Sequence, residues 1–237
     1  MNKVRDKTLI AIPAYNESKY IRDVLKSVCE YADYVLVIDD GSTDGTDAIL
    51  RHTQGIDVIT HSQNAGYGQT LIDAFNFAAE RGFEWIITMD CDLQHEPACL
   101  PRFYERIEMG TADIISGSRY FDSFGTRPLN VPNDRYMINK KITSFLNKML
   151  NLNLTDSFCG FKAYRVRSVK KLPLTEKGYA FPLQLWLQAY RADLVIEEIP
   201  VPLIYVDAKR CFGGELDNPE IRLNQYMEVI YRELKKQ

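Results

Sequence analysis

The segment Met89-Asp90-Cys91-Asp92-Leu93-Gln94-His95 sets two carboxylates two residues apart, directly after the apolar run Trp85–Met89. Side chains two apart on an extended chain point to the same side. Two carboxylates on one side repel unless a cation lies between or beside them. A hard divalent ion such as Mg²⁺ or Mn²⁺ takes oxygen ligands and keeps positions open for a diphosphate. Taken alone, so short a motif is more often a solvated acidic loop. Cys91, His95 and Cys99 have no fourth ligand near them in sequence, which argues against a structural zinc site.

A second segment runs from the apolar Val35–Ile38 into Asp39-Asp40-Gly41-Ser42-Thr43-Asp44-Gly45-Thr46. Its carboxylates could accept a base N–H or a ribose hydroxyl, and Ser42, Thr43 or Asp44 could cap a following helix. A third, Ile12-Pro13-Ala14-Tyr15-Asn16-Glu17, offers the Tyr15 ring to a base and the Glu17 oxygens as acceptors. Alone, these are a helix-capping turn and a strand stop. No Gly-Lys-Ser/Thr follows the acidic turn, and Gly66-Tyr67-Gly68 does not extend to Gly-x-Gly-x-x-Gly, so phosphate-loop and dinucleotide readings lose support.

The elements that must position these residues alternate. Strand-like runs are Thr8–Pro13, Tyr34–Asp39, Asp57–Thr60, Trp85–Met89 and Asp113–Ser116. Helical patterns lie near Ile21–Glu30, Thr46–His52, Gln69–Arg81 and Glu96–Met109. Such βα repeats predict an α/β fold with a mostly parallel sheet, whose ligands bind beyond the carboxyl ends of the strands. All three motifs fall there. A loop at 119–134 then leads to a helical pattern over Arg135–Leu150, a strand-like Gly160–Val166, a helix near Phe181–Tyr190, a strand-like Leu194–Ile199, a polar loop over Asp207–Pro219 and a closing helix near Glu220–Lys235.

At 237 residues the chain reads as a single domain, 1–237. Its net charge of −3 argues against a nucleic-acid partner. The charge is unevenly spread: residues 1–118 sum to −9 and residues 119–237 to +6. The five cysteines are odd in number and scattered, which favours reduced thiols in the cytoplasm. No apolar run approaches the ~20 residues of a membrane span, and the N-terminus does not read as a signal peptide.

In their order and separations, Ile12–Glu17, Asp39–Thr46, Asn64-Ala65-Gly66-Tyr67-Gly68 and Asp90-Cys91-Asp92 resemble family 2 of the inverting glycosyltransferases. Gly117-Ser118-Arg119-Tyr120, the run Asp156–Arg165 and Glu198–Val201 continue the likeness. Within the family these segments are most similar to the dolichyl- or polyprenyl-phosphate mannosyl- and glucosyltransferases. The resemblance implies a GT-A fold: a twisted, mostly parallel sheet flanked by helices, with a nucleotide-sugar and metal half (1–118) and an acceptor half (119–237). Pro13, Tyr15, Glu17 and Asp40 would hold the nucleoside. Asp90 and Cys91 would meet the donor, and Asp92 with Gln94 the metal. Arg119 and Arg135 would receive an acceptor phosphate, and Arg210, with Lys209, the donor diphosphate.

These roles suit the chemistry. Charge grows on the leaving diphosphate, where a metal and guanidiniums stabilise it. A hydroxyl acceptor needs a base, whereas an ionised phosphate does not. Near the position where the family often carries an acid, this chain has Gln184, which leaves Asp156 as the candidate carboxylate of the acceptor half. The expected donor is GDP-mannose or UDP-glucose with Mg²⁺ or Mn²⁺. The expected acceptor is a phosphorylated lipid carrier, reached by peripheral contact at the inner membrane face. Lys140, Lys141 and Lys148, beside Ile142, Phe145, Leu146 and Met149, would suit such contact, as would Phe121 and Phe124; an amphipathic helix packed on the sheet accounts for the same stripe. The alternatives are a soluble sugar or small phosphorylated acceptor, and a non-catalytic nucleotide-sugar binding module. A sugar-nucleotide pyrophosphorylase would need a Gly-rich basic loop that Ile12–Glu17 does not supply.

Overall fold

Seven strands build one sheet: β1 (Thr8–Ala14), β2 (Tyr34–Asp39), β3 (Asp57–Thr60), β4 (Trp85–Thr88), β5 (Ile114–Ser118), β6 (Lys162–Arg165) and β7 (Ile196–Pro200). The structure is a computed structural model and describes residues 3–122, 131–204 and 214–236. The strand order is β3-β2-β1-β4-β6-β5-β7. β1 pairs in parallel with β2 and β4, β2 with β3, and β5 with β7; β6 runs antiparallel to both β4 and β5. The chain moves outward from β1 to β3 and then returns to β4 on the other side of β1. That reversal opens a crevice at the carboxyl ends of β1 and β4.

Among the described residues, eight helices cover the two faces: α1 (Ile21–Tyr31), α2 (Thr46–Arg51), α3 (Tyr67–Glu80), α4 (Leu100–Met109), α5 (Asn133–Leu150), α6 (Val166–Val169), α7 (Phe181–Arg191) and α8 (Pro219–Leu234). The alternation of strand side chains sorts the core. Leu9, Ala11, Leu36 and Ile38 face a layer with α3, α5, α7 and α8. Ile10, Ile12, Val35 and Val37 face a layer with α1 and α4. Full burial of each of these Val, Leu and Ile side chains stabilises the fold by ~1.5–3 kcal/mol.

Most predicted elements stand within a residue or two of their observed bounds, and the differences have local causes. The acidic turn does not cap α2 with a side chain at the cap position. Gly45 sits there at φ 95°, and Asp44 reaches forward to accept the Thr46 N–H at 3.0 Å. The helix predicted over Glu96–Met109 splits into a 3-10 turn at Pro97–Cys99 and α4. α5 starts at Asn133, inside the predicted loop, and residues 123–130 of that loop, with Phe124, lie outside the described residues. In α5, Ile138, Ile142 and Leu146 are core, so the apolar stripe packs inward and only Met137 and Met149 stand exposed. Among the described residues, no helix is long and apolar enough to cross a membrane.

Candidate active site

A cleft of about 320 Å³ opens at the carboxyl edge of the sheet. Pro13, Tyr15 and Glu17 reach it from β1, Asp40 from β2, Asp90, Cys91, Asp92 and Gln94 from β4, and Arg119 from β5, while Arg135 joins from α5. Because β2, β1, β4, β6 and β5 are neighbours in that order, the residues following them are strung out in the same order. Four strand intervals span about 19 Å, room for a nucleoside, a diphosphate and a sugar in a row.

At the β1–β2 end two loops are laced together. Asn16 donates its backbone N–H to Ser42 Oγ at 2.9 Å and accepts the Thr43 N–H at 2.8 Å, while Ser18 N–H donates to Asp44 at 3.0 Å. Glu17 is buried, and its N–H donates to Thr46 Oγ1 at 2.9 Å. Tyr15 stays about half exposed, a ring edge available to a base. Asp40 is buried and lines the cleft while its oxygens accept the N–H groups of Ala65 at 2.8 Å and Gly66 at 2.9 Å. It therefore pins the Asn64–Gly68 turn. That turn needs its glycines: a Cβ on Gly68 would lie 2.1 Å from the Glu176 carbonyl oxygen.

At the centre, Leu93 takes φ 59°, a conformation that a branched side chain adopts only when its surroundings impose it. The turn lets Asp92 Oδ1 accept the Gln94 N–H at 3.1 Å. Asp90 is held from three sides. Tyr67 O–H donates to its Oδ1 at 3.2 Å, its own N–H donates to His95 Nδ1 at 2.9 Å, and Gly160 lies against its carboxylate. His95 is buried, stacked on Phe161, and burial pushes its pKa down to about 4, so the ring is neutral and can accept that N–H.

Asp92 and Gln94, both residues with side-chain oxygens, line the cleft, and among the described residues no set of three His, Cys, Asp or Glu side chains is placed to cage an ion. That donor set would fit Mg²⁺ or Mn²⁺, hard ions that proteins bind through one or two side-chain oxygens together with substrate phosphates and water. It does not fit zinc: His95 is turned to the Asp90 N–H.

On the β5 side, Arg119 forms a two-pronged pair with Asp156, Nε to Oδ2 at 2.7 Å and Nη2 to Oδ1 at 3.0 Å. Asn139 donates to Asp156 Oδ1 at 2.7 Å, and the Phe158 N–H donates to the same oxygen at 3.1 Å. Asp156, expected as the candidate carboxylate of the acceptor half, is placed behind Arg119. Asp156 is 0% exposed, does not line the cleft, and serves as the counter-ion behind Arg119. The inference drawn from Gln184 also changes. Gln184 is fully buried away from the cleft, where Oε1 accepts the N–H groups of Thr175 and Glu176 and Nε2 donates to Glu233. Lys209 and Arg210 lie outside the described residues.

Sequence reasoning assigned no role to Tyr67, Tyr179, Arg222 and Tyr226, which also line the cleft. Tyr67 and Tyr179 stack with ring centres 5.8 Å apart. Gly66-Tyr67-Gly68 and Gly178-Tyr179 carried a faint signal, since paired glycines mark close approach. Arg222 and Tyr226, on an ordinary amphipathic helix, carried none.

Comparison with known proteins agrees with this geometry. The profile of glycosyl transferase family 2 matches residues 9–173. The undecaprenyl-phosphate mannosyltransferase of Micrococcus luteus is 32% identical over 208 residues, covering 84% of each chain. The polyprenol monophosphomannose synthase of Mycolicibacterium smegmatis is 30% identical over 206 residues, covering 82% of this chain and 76% of the relative. Among solved structures, glucosyl-3-phosphoglycerate synthase from Mycobacterium tuberculosis, in complex with Mn²⁺, uridine diphosphate and phosphoglyceric acid, superposes with a TM-score of 0.74 at 17% identity, over 97% of this chain and 78% of that one. The sheet order, the cleft at its carboxyl edge and these likenesses agree on a GT-A fold, and the chain belongs to glycosyl transferase family 2, as a glycosyltransferase.

Proposed function

We propose that the chain is a metal-dependent, inverting hexosyltransferase that moves mannose or glucose from GDP-mannose or UDP-glucose to a polyprenyl-phosphate-type acceptor at the inner membrane face. The observation that carries this reading is a single cleft with carboxylates and a tyrosine ring at one end, Asp90–Gln94 in the middle, and Arg119 and Arg135 at the other. The two relatives named for polyprenol-phosphate mannosylation support the acceptor class. On this reading residues 1–118 supply the donor side and most of residues 119–237 the acceptor side.

Pro13, Tyr15, Glu17 and the Asp40-pinned turn hold the nucleoside, and Asp90 and Cys91 border the sugar and diphosphate. Asp92 and Gln94 hold the ion, which supplies Lewis-acid stabilisation of the leaving diphosphate. Arg119 and Arg135 orient the acceptor phosphate, since guanidinium pairs with phosphate through two parallel N–H bonds. An acceptor phosphate oxygen forms the bond to the anomeric carbon as the bond to the diphosphate breaks. That oxygen is already ionised, so no base is needed. The burial of Asp156 behind Arg119 fits this, because the arginine is held in place without a carboxylate facing the acceptor. Arg210 remains a proposed donor-diphosphate contact.

The test uses labelled GDP-mannose and UDP-glucose with Mn²⁺ or Mg²⁺, offered polyprenyl phosphate in detergent micelles or phosphoglyceric acid in solution. Label extracted into organic solvent supports the lipid acceptor; label on phosphoglyceric acid alone supports a soluble phosphorylated one. A nucleotide at 100 times its Kd should stabilise the fold by about 2.7 kcal/mol. If no nucleotide raises the melting temperature and neither acceptor is labelled, the proposal fails. Asp92→Ala should abolish metal-dependent transfer; unchanged transfer would remove the metal assignment.

A further inference from the structure

Arg222 lies on α8, well beyond residues 9–173, and belongs to none of the motifs. Its side chain is 2% exposed, yet it lines the same cleft as Arg119 and Arg135. A charged group is almost never buried so deeply without partners. Nη2 donates to Asp134 Oδ2 at 2.5 Å and Nη1 donates to the Leu216 carbonyl at 2.8 Å. Neither Asp134 nor Leu216 lines the cleft. As with Arg119, the guanidinium lines the cleft and its counter-ion does not, but the exposures are reversed: Asp156 is fully buried, whereas the Asp134 side chain is 38% exposed and that of Arg222 is 3% exposed.

Tyr226 follows Arg222 by one helical turn and also lines the cleft, with its ring centre 5.0 Å from that of Phe158. Burial raises its phenol to about 12, and the charges of Arg222 and Arg135 both act on it in the opposite sense. Tyr226 thus presents a neutral hydroxyl in the same cleft that Arg135 of α5 and Arg222 of α8 line. Arg222 is tied to Asp134, the neighbour of Arg135, and Asn139 further along α5 is tied to the Arg119 counter-ion, so α5 links three cleft-lining cations from three separate elements.

We infer that Arg222 is a third anion-contacting residue of the acceptor subsite, selecting a phosphate monoester over a neutral sugar hydroxyl. The inference deepens the reading of this cleft as a glycosyl-transfer site and rests on it. A hydroxyl offers one or two acceptor positions, too few for so many N–H donors. A phosphate monoester offers three outer oxygens, each able to accept more than one hydrogen bond. A lipid headgroup and a free phosphorylated acid share that chemistry.

The test measures binding separately from turnover. Farnesyl phosphate, as a short polyprenyl monophosphate, and phosphoglyceric acid are titrated calorimetrically into the wild-type chain and into Arg222→Gln, Arg222→Lys and Asp134→Ala, in the presence of nucleoside diphosphate and Mn²⁺. The expected result is a Kd raised about tenfold or more in Arg222→Gln, equivalent to ~1.4 kcal/mol. Arg222→Lys should fall between it and the wild type, because lysine keeps the charge and loses the fork. Asp134→Ala should shift Kd less than about threefold, since it keeps the guanidinium. The two probes distinguish a lipid from a soluble source by which one the wild type binds more tightly. If neither probe binds the wild type, or Arg222→Gln and Arg222→Lys bind as the wild type does, the inference is overturned. If Arg222→Gln and Asp134→Ala weaken binding equally, Arg222 only ties α8 to α5 and the inference is again overturned. Failure of the glycosyl-transfer reading shows differently, as phosphate binding lost in Arg222→Gln without any sugar transfer by the wild type.

Discussion

Gly160 is the seat of the Asp90 carboxylate: a Cβ built on Gly160 would lie 2.6 Å from both Asp90 side-chain oxygens. The contact joins residues 70 apart in sequence, and the topology explains it. β6 runs antiparallel to β4, so its start, not its end, lies at the carboxyl edge of the sheet. The segment from Asp156 to Lys162 leading into β6 therefore lies at that edge, with Phe158 lining the cleft. It pairs with Arg119 through Asp156, accepts the Thr88 hydroxyl at 2.7 Å through the Gly160 carbonyl, and accepts Lys162 Nζ at the Cys159 carbonyl.

Gly160→Ala should therefore impair the reaction more than the fold. Overpacking of this kind costs about 1–3 kcal/mol of stability. A displacement of about 1 Å at a reacting group lowers the rate by about 100-fold. Thermal melts and transfer kinetics on the same preparation check this. A variant with wild-type kcat/KM would show that Asp90 can move without consequence.

Tyr67→Phe isolates the hydrogen bond to Asp90 and leaves the stack on Tyr179 in place. Burial raises the Tyr67 phenol well above its ordinary value, so the group stays a neutral donor. A hydrogen bond to a charged group contributes about 1.5–3 kcal/mol. The expected loss in kcat/KM is about tenfold, with donor binding affected more than acceptor binding. Separate saturation curves for donor and acceptor read the difference; an effect confined to the acceptor would refute it.

The sequence displayed those parts of the site that follow a strand directly. Asp40, Asp90, Asp92 and Arg119 each stand just past an apolar run, and period-two alternation with parallel topology brings such positions to one edge. It did not display what approaches from afar. The direction of β6 is a tertiary outcome, because Lys162–Arg165 reads equally well either way. His95 beneath Asp90 and Asp156 behind Arg119 look like ordinary polar residues until the backbone folds them inward. Four-residue α6 is too short for helical periodicity to register. The burial of Asp156 and Gln184 was hidden in the sequence for a shared reason. Both are polar residues in segments expected to face the acceptor, and both spend their hydrogen-bonding capacity inside the protein.

Gln184→Ala tests that distinction. The side chain bridges the Thr175–Glu176 backbone to Glu233, a carboxylate with 0% exposure, and so ties α7 to α8. Removing it leaves two backbone N–H groups and part of a carboxylate without partners, at about 1–3 kcal/mol for each buried group. The variant should melt at a clearly lower temperature while keeping, below its transition, the wild-type KM for both substrates. A raised KM at full folding would show that Gln184 acts on the site.

Asp156 gives the chain a specific response to acid. Burial alone would raise its pKa, but the Arg119 charge and the hydrogen bonds from Arg119 and Asn139 outweigh burial and bring it to about 2, below the ordinary 3.8. A carboxylate whose folded pKa is depressed contributes stability that is complete above its unfolded value and is lost as pH falls toward its folded value. The contribution is ~2 kcal/mol, present above about pH 4 and mostly gone near about pH 2. Asp156→Asn cannot ionise, so it lacks this part of the acid slope. It is also less stable at neutral pH by about 3–5 kcal/mol, because Arg119 loses its counter-ion. Urea unfolding of both proteins from about pH 7 down to about pH 2.5 should show the two stability curves converging as pH falls. Curves that stay parallel through this range would mean that the Arg119–Asp156 pair does not hold the carboxylate ionised.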